Sequence, residues 1–336
     1  MSNYIKAIHA KGLFGRYDLQ QDFYPGINVL YSNNGGGKTT LLHILANILN
    51  GDFERFAFLE FQSISVLFDD EKSVKLNRSK QRSQAELHDT LITLDINEGE
   101  ILKTFSVSEI QNDEFKPRDN FVDLSQSRIP SDDSLIMPAA YFPAFRSVID
   151  AYKSNNLGEE NTNLTIDERV TTFVREWLLP FVPHLRYPSI IEIERELNRE
   201  IAASRLEAIE NYFKTVNKFL EGKVVYVDKS GSSRKHPGVE ILFSGGSRSK
   251  GLITLSSGER QVCTFFFAAT FLDKERVILI DEPEISLHVD WQRLLLQEIS
   301  NHLDDHQFII CTHSPIIGAD YMERRMELKL LPIQGN

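Results

Sequence analysis

Several short segments of this 336-residue chain combine residue types and spacings that could do chemistry. Residues 32 to 39 read Ser-Asn-Asn-Gly-Gly-Gly-Lys-Thr. Consecutive glycines let backbone N–H groups turn inward around phosphate oxygens, a following lysine reaches the terminal phosphates, and an adjacent hydroxyl can hold Mg²⁺. Gly35, Gly36, Gly37, Lys38 and Thr39 supply these parts, with Asn33, Asn34 and Thr40 beside them. The first position of the usual pattern carries Ser32 instead of glycine. A second cluster is the apolar run Val277-Ile278-Leu279-Ile280, which ends in Asp281 and Glu282. Two carboxylates at the exit of a buried strand can hold a metal's water shell and orient an attacking water. The third cluster, Leu255-Ser256-Ser257-Gly258-Glu259-Arg260-Gln261, offers a serine cap and a glycine at a helix start, where an anion can come close to backbone N–H groups. The fourth is His313, within Cys311-Thr312-His313-Ser314. Taken singly, each also fits a bland role: a solvated turn, an ordinary capped helix, a satisfied histidine.

The elements needed to position these groups are legible around them. Ile5 to Ala10 and Ile27 to Tyr31 read as strands, and Thr39 to Asn50 as a helix with leucines and isoleucines at helical spacing. Strand, glycine loop and helix therefore follow in the order a phosphate loop requires. Gln62 to about Ser106 alternates as an antiparallel meander, and Gln111 to Ser134 as a polar loop. From about Ile166 to Glu221 the apolar residues repeat at three and four, predicting a helical insertion too short for a long coiled-coil arm. Strands are expected at Val224 to Val227 and Val239 to Phe243, separated by a turn at Ser230 to Pro237, and a loop at Ser244 to Gly251. A helix from Gly258, a strand at Arg276 to Ile280, a helix near Trp291 to Leu303 and a strand at Phe308 to Thr312 complete the chain. The expected fold is α/β, with a mixed and parallel sheet, an antiparallel β subdomain and the helical insertion. The division is residues 1–145 for the N-terminal lobe, 146–222 for the insertion and 223–336 for the C-terminal lobe.

Composition narrows the class. Apolar residues make up 41% of the chain, which excludes disordered and collagen-like proteins. Two cysteines, Cys263 and Cys311, cannot build a disulfide framework and read as reduced core residues. With neither a leader-like N-terminus nor a long apolar run, a cytoplasmic protein without a membrane partner is expected. The net charge of −11 opposes coating of DNA by the whole surface. It leaves local basic patches: Arg78, Lys80 and Arg82; Arg234, Lys235 and His236; Arg248 and Lys250. These read either as solvated faces or as DNA phosphate contacts.

The four clusters, in this order, resemble the ABC-class ATPases. Leu255 to Glu259 matches the family's LSGGQ signature, Ile285-Ser286-Leu287-His288 fills its D-loop, and His313 its switch histidine. The resemblance implies an ATP-hydrolysing enzyme using Mg²⁺, with Lys38 and the loop amides on phosphate and Thr39 and Asp281 on the metal. Glu282 would act on the water and His313 on the γ-phosphate. Ser256 and Gly258 would act in trans, closing a homodimer or higher homo-oligomer around ATP. Gln62 is the Q-loop candidate that senses the metal, with Tyr141 to Arg146 as the alternative, and Arg16 is a nucleotide-contact candidate. The form Asp-Glu-Pro-Glu-Ile-Ser-Leu-His looks like the OLD (overcoming-lysogenization-defect) family, and Leu-Ser-Ser-Gly-Glu-Arg like the chromosome-maintenance, SMC-like ATPases. OLD nucleases carry a TOPRIM domain for which this chain has no spare carboxylate cluster. The implied role is therefore similar to that of the stand-alone AAA-family ATPase subunits of PARIS and Septu anti-phage systems: a regulator of a separate effector such as a TOPRIM or HNH nuclease. A DNA-repair or chromosome-maintenance clamp and a transporter subunit are the alternatives.

Overall fold

In a computed structural model the described residues are 4–49, 51, 53–80, 90–96, 100–108, 139–142, 190–203, 206–229, 238–271, 276–301 and 306–333. An apolar run such as Val277 to Ile280 has no side to offer water and must be covered on both faces. It forms β12 (Val277–Asp281), every residue of which is buried. Around it stand β8 (Ala139–Phe142), β13 (Gln307–Thr312), β3 (Ile27–Tyr31) and β14 (Arg325–Glu327), in the order β14-β3-β13-β12-β8. All neighbours in this sheet are parallel.

Alternation along the strands divides the interior in two. Val277, Leu279 and Ile309 face one core, while Ile278, Ile280 and Ile310 face the other. The first core is shared with a seven-stranded antiparallel sheet, ordered β15-β2-β1-β4-β5-β6-β7. Its strands are β1 (Ile5–Leu13), β2 (Tyr17–Asp22), β4 (Ser63–Phe68), β5 (Ser73–Lys80), β6 (Thr90–Ile96), β7 (Glu100–Ser106) and β15 (Leu330–Pro332). Helix α1 (Lys38–Leu49) contributes to the same core, and everything from Leu41 to Leu49 is buried. That burial pushes the His43 imidazole down to about 4, with Arg55 adding to the effect. The second core collects α2 (Ile190–Ala202), α3 (Leu206–Val216), α4 (Ser257–Phe271) and α5 (Val289–Asn301). It also takes in one face of a small antiparallel sheet of β9 (Lys223–Asp228), β10 (Gly238–Phe243) and β11 (Arg248–Lys250).

Buried polar groups tie these layers together. Gln307 donates from Nε2 to the carbonyls of Ile5 at 2.9 Å and Tyr24 at 3.0 Å, and accepts from the Ile5 N–H at 2.8 Å. A buried amide satisfied at both ends fixes the start of β13 against the antiparallel sheet. Cys263 and Cys311 are free and buried, and burial pushes the Cys263 thiol up to about 12 and also raises that of Cys311 well above the ordinary thiol range. Such thiols stay protonated and unreactive.

One expectation needs correction. Ser244 to Gly251 is not wholly loop: Arg248–Lys250 form β11, paired with β10 through Leu242↔Arg248 and Glu240↔Lys250. The turn is confined to Ser244–Ser247, where Gly246 takes φ +79° and the Phe243 N–H reaches the Ser247 carbonyl at 2.9 Å. The polar residues beyond it can then pair as a hairpin arm. The predicted loop at 111–134, residues 166–189 of the insertion, the turn at Ser230 to Pro237 and the side chains of Arg82, Arg146, Arg234, Lys235, His236 and Lys250 lie outside the described residues. No helix among the described residues is long and apolar enough to cross a membrane.

Candidate functional site

The parallel sheet brings the loops after β3, β12 and β13 to one edge, because adjacent parallel strands end on the same side. Asp281 pairs in register with Cys311, and Thr312 with Tyr31. Residues separated by more than two hundred positions thereby meet in one place.

The glycine loop runs from Ser32 to Gly37, with Gly35 at φ +77° and Gly37 at φ +86°. These are conformations that cost a side-chain-bearing residue about 1 kcal/mol or more. Gly36 is required for another reason: a Cβ there would stand 2.3 Å from the Ser32 hydroxyl. Lys38 is buried, and its Nζ is 3.1 Å from the Ser32 carbonyl, 3.2 Å from Ser32 Oγ and 3.4 Å from His313 Nδ1. Each ammonium proton therefore has an acceptor. Burial lowers the pKa of Lys38, against the opposing pull of Cys311, Glu282, Asp281 and Glu284. Asn33 and Asn34 are exposed on the loop, and Thr40 is half-buried.

Thr39 Oγ1 donates to Asp281 Oδ2 at 2.7 Å. The other oxygen, Asp281 Oδ1, is buried and has no hydrogen-bond partner. Burial raises the Asp281 carboxyl to about 7, partly offset by the Thr39 bond and by Lys38 and reinforced by Glu282 and Glu284. A half-satisfied buried carboxylate beside a hydroxyl is the donor set a hard divalent cation with retained waters needs. Thr39 and Asp281 thus fit Mg²⁺.

Glu282 occupies the left-handed region at φ 47° and ψ 55°, unusual for a side-chain-bearing residue, and its N–H is anchored on the Cys311 carbonyl at 2.8 Å. Its Oε1 lies 3.3 Å from His313 Nε2. Since Lys38 offers only donors, His313 Nδ1 accepts and Nε2 carries the proton toward Glu282; this tautomer is assigned from the partners. Lys38, Thr39, Asp281, Glu282 and His313 therefore form one connected cluster.

Ser256 and Gly258 take a different place. Ser256 caps α4 in a reciprocal box: Glu259 Oε2 accepts the Ser256 N–H at 2.8 Å and Ser256 Oγ accepts the Glu259 N–H at 3.4 Å. Lys223 of β9 adds an ion pair to the same Oε2 at 2.9 Å. Gly258 is packed so closely that a Cβ would stand 2.2 Å from the Ser286 carbonyl. Among the described residues no hydrogen bond or ion pair joins Ser256 or Gly258 to the glycine loop. Gly258→Ala is accordingly expected to destabilise the fold by roughly 2 kcal/mol, because the clashing atom is backbone and cannot rotate away. Urea unfolding measures this, and an unchanged midpoint would show that the 283–286 turn yields freely.

Gln62 stands exposed at the head of β4 with its side chain against Gly12, and is not among the partners of Thr39 or Asp281. Arg16 is exposed in the β1–β2 turn. Arg78 is turned inward, donating to the Leu59 carbonyl and lying 5.9 Å from the Phe61 ring centroid, while Lys80 and Arg248 are exposed. The sequence reading overlooked Ser32 as a lysine partner and the group Glu284, Thr312, Ser314 and Gln292. Thr312 Oγ1 donates to Glu284 Oε2 at 2.7 Å, the His313 N–H to Glu284 Oε1 at 2.6 Å, and Ser314 Oγ to Gln292 Oε1 at 2.6 Å. The departure from glycine at Ser32 and the third acid after β12 were the available signals.

Solved structures of similar shape include the SMC head domain from Thermotoga maritima, at TM-score 0.47 and 14% identity over 98% of this chain and 99% of that one. The Smc head domain with an extended coiled coil from Pyrococcus furiosus, bound to the C-terminal domain of ScpA, has a TM-score of 0.49 and 13% identity over 98% and 96%. In sequence, 41 residues are 42% identical to "Retron Vc95 probable ATPase" of Vibrio cholerae serotype O1 biovar El Tor, spanning 12% of this chain and 8% of that protein. From residue 192 to 320, which takes in Ser256, Gly258, Asp281, Glu282 and His313 but not the glycine loop, the chain matches the family model described as "AAA domain, putative AbiEii toxin, Type IV TA system".

Proposed function

We propose that this protein is an ATPase that binds Mg·ATP at the edge of the parallel sheet and hydrolyses it slowly. The observation that carries this reading is the convergence of Lys38, Thr39, Asp281, Glu282 and His313 where β3, β12 and β13 end. Lys38 and the amides of Gly35 to Thr39 hold the phosphates, with Asn33, Asn34 and Thr40 beside them. Thr39 Oγ1 and Asp281 would hold Mg²⁺, which when bound would supply neutralisation of phosphate charge. Glu282 accepts the proton of the attacking water, and His313 donates from Nε2. ATP entry requires Lys38 to exchange its bonds with Ser32 for phosphate oxygens.

The reading extends to assembly and role. Ile253, Ile285 and Val289 are exposed at 51%, 46% and 45% around Ser256 and the 283–286 turn. Apolar side chains left on that rim support a second copy closing there, with Ser256 and Gly258 acting on the ATP of the partner. The match to the family described as "AAA domain, putative AbiEii toxin, Type IV TA system" and the 41-residue likeness to a retron ATPase support placing the chain in a defence system with a separate effector. The test is phosphate release and ATP affinity in the wild type and in Lys38→Ala. The variant should lose roughly tenfold or more in affinity, since a charge-assisted phosphate contact is removed. Equal affinity would remove the phosphate-loop assignment.

A further inference from the structure

The loop after β13 is held by side chains rather than by a sheet. The His313 N–H bonds Glu284 Oε1 at 2.6 Å, the Ser314 N–H bonds Thr312 Oγ1 at 2.9 Å, and the N–H groups of Ile316 and Ile317 reach Ser314 Oγ at 3.1 and 3.5 Å. Ser314 in turn donates to Gln292, whose Nε2 donates to the Leu287 carbonyl at 3.0 Å. Thr312 is fully buried, and Ser314 and Gln292 are buried as well. Glu284 is the charged member of this network, and both its oxygens accept from the His313 segment at short, charge-assisted distances.

Glu284 belongs to the short 3₁₀ turn Pro283–Ser286, between Glu282 and the Ser286 carbonyl that abuts Gly258. A contact chain therefore runs from the start of α4 through Ser286 and Glu284 to the backbone of His313. The turn follows a Glu282 in the left-handed region, and the Glu284 carboxylate is the group that bonds this turn directly to the His313 backbone.

We infer that Glu284 is a positioning residue: it clamps the backbone of His313 and makes the placement of that imidazole depend on how the 283–286 turn sits against α4. This rests on the ATPase reading for its kinetic consequences, while the clamp itself is testable without ATP.

The experiment compares wild type, Glu284→Ala, Glu284→Gln, His313→Ala and the double variant Glu284→Ala/His313→Ala. Hydrogen exchange is followed on peptides covering 312–317 in nucleotide-free protein. Glu284→Ala should speed exchange there roughly tenfold, whereas Glu284→Gln should stay close to wild type, because its amide oxygen still accepts from His313 and its NH₂ can donate to Thr312. In turnover, Glu284→Ala should lower kcat roughly tenfold with KM for ATP within about twofold, and Glu284→Gln should recover most of it. In the double variant the loss should be no larger than in His313→Ala alone, since Glu284 acts through that residue. Unchanged exchange in Glu284→Ala, or losses that multiply in the double variant, would overturn the inference. A wild type that hydrolyses no ATP would refute the proposed activity instead, and the exchange comparison would still decide the clamp.

Discussion

Glu282→Gln is expected to lower ATP turnover by roughly a thousandfold while leaving ATP bound. The substitution keeps the volume of the side chain and the N–H bond to the Cys311 carbonyl that holds the left-handed backbone in place. Gln Oε1 can still accept from His313 Nε2, so the cluster keeps its shape. What disappears is the capacity to take a proton from water. With hydrolysis blocked, the proposed ATP-joined pair of copies should persist, and gel filtration with Mg·ATP should show an enlarged species alongside steady-state phosphate release near background. Wild-type turnover in this variant would move the base to another residue.

Asp281→Asn should have two opposite effects, a roughly thousandfold loss of turnover and a more stable ligand-free protein. In the folded chain Asp281 holds its proton up to about pH 7, whereas an unfolded carboxyl releases it near 3.8. Between those values the native state binds more protons than the unfolded state, so this group makes stability fall as pH rises from about 4 to about 7. The full penalty is about 4 kcal/mol, present above pH 7. Asparagine removes the charge but leaves an amide where Oδ1 has no partner, which costs about 1 to 2 kcal/mol, so the net gain at pH 8 is about 2 kcal/mol. Thermal unfolding across pH checks this: the wild type should lose stability through that window and the variant should not. Adding Mg·ATP should stabilise the wild type more than the variant, which keeps the phosphate contacts of Lys38 and the loop amides but not the metal carboxylate.

The parts of the fold that were legible are those where one face pattern decides the element. The runs of β12 and β13 and the leucines of α1 could only be buried, and the structure buries them. The catalytic candidates were readable as types because their chemistry demands carboxylates, a lysine and a hydroxyl next to glycines. Their meeting depends on strand register, Asp281 beside Cys311 and Thr312 beside Tyr31, which no local pattern encodes. For the same reason Glu284 went unread: its partners lie 28 and 29 residues away, across that register. The three-residue strands β11, β14 and β15 are too short to show alternation and owe their form to the strands they join. Gly258 read as an opening for an anion, while within one chain its missing side chain makes room for the Ser286 carbonyl.

The strand that leads into the glycine loop, β3, sits between β13 and β14, which come from the last part of the described chain. Leu330 also packs on Gly37 at the turn into α1. During synthesis the loop at residues 32–37 emerges early, but β3 gains its neighbour β13 only after residue 312 and its neighbour β14 only after residue 327. Contacts of such long sequence separation form late. A chain cut before residue 307 would carry every residue of the glycine loop without the two strands that flank β3, and it should bind ATP more weakly than the full chain, which a titration of the truncated protein would check.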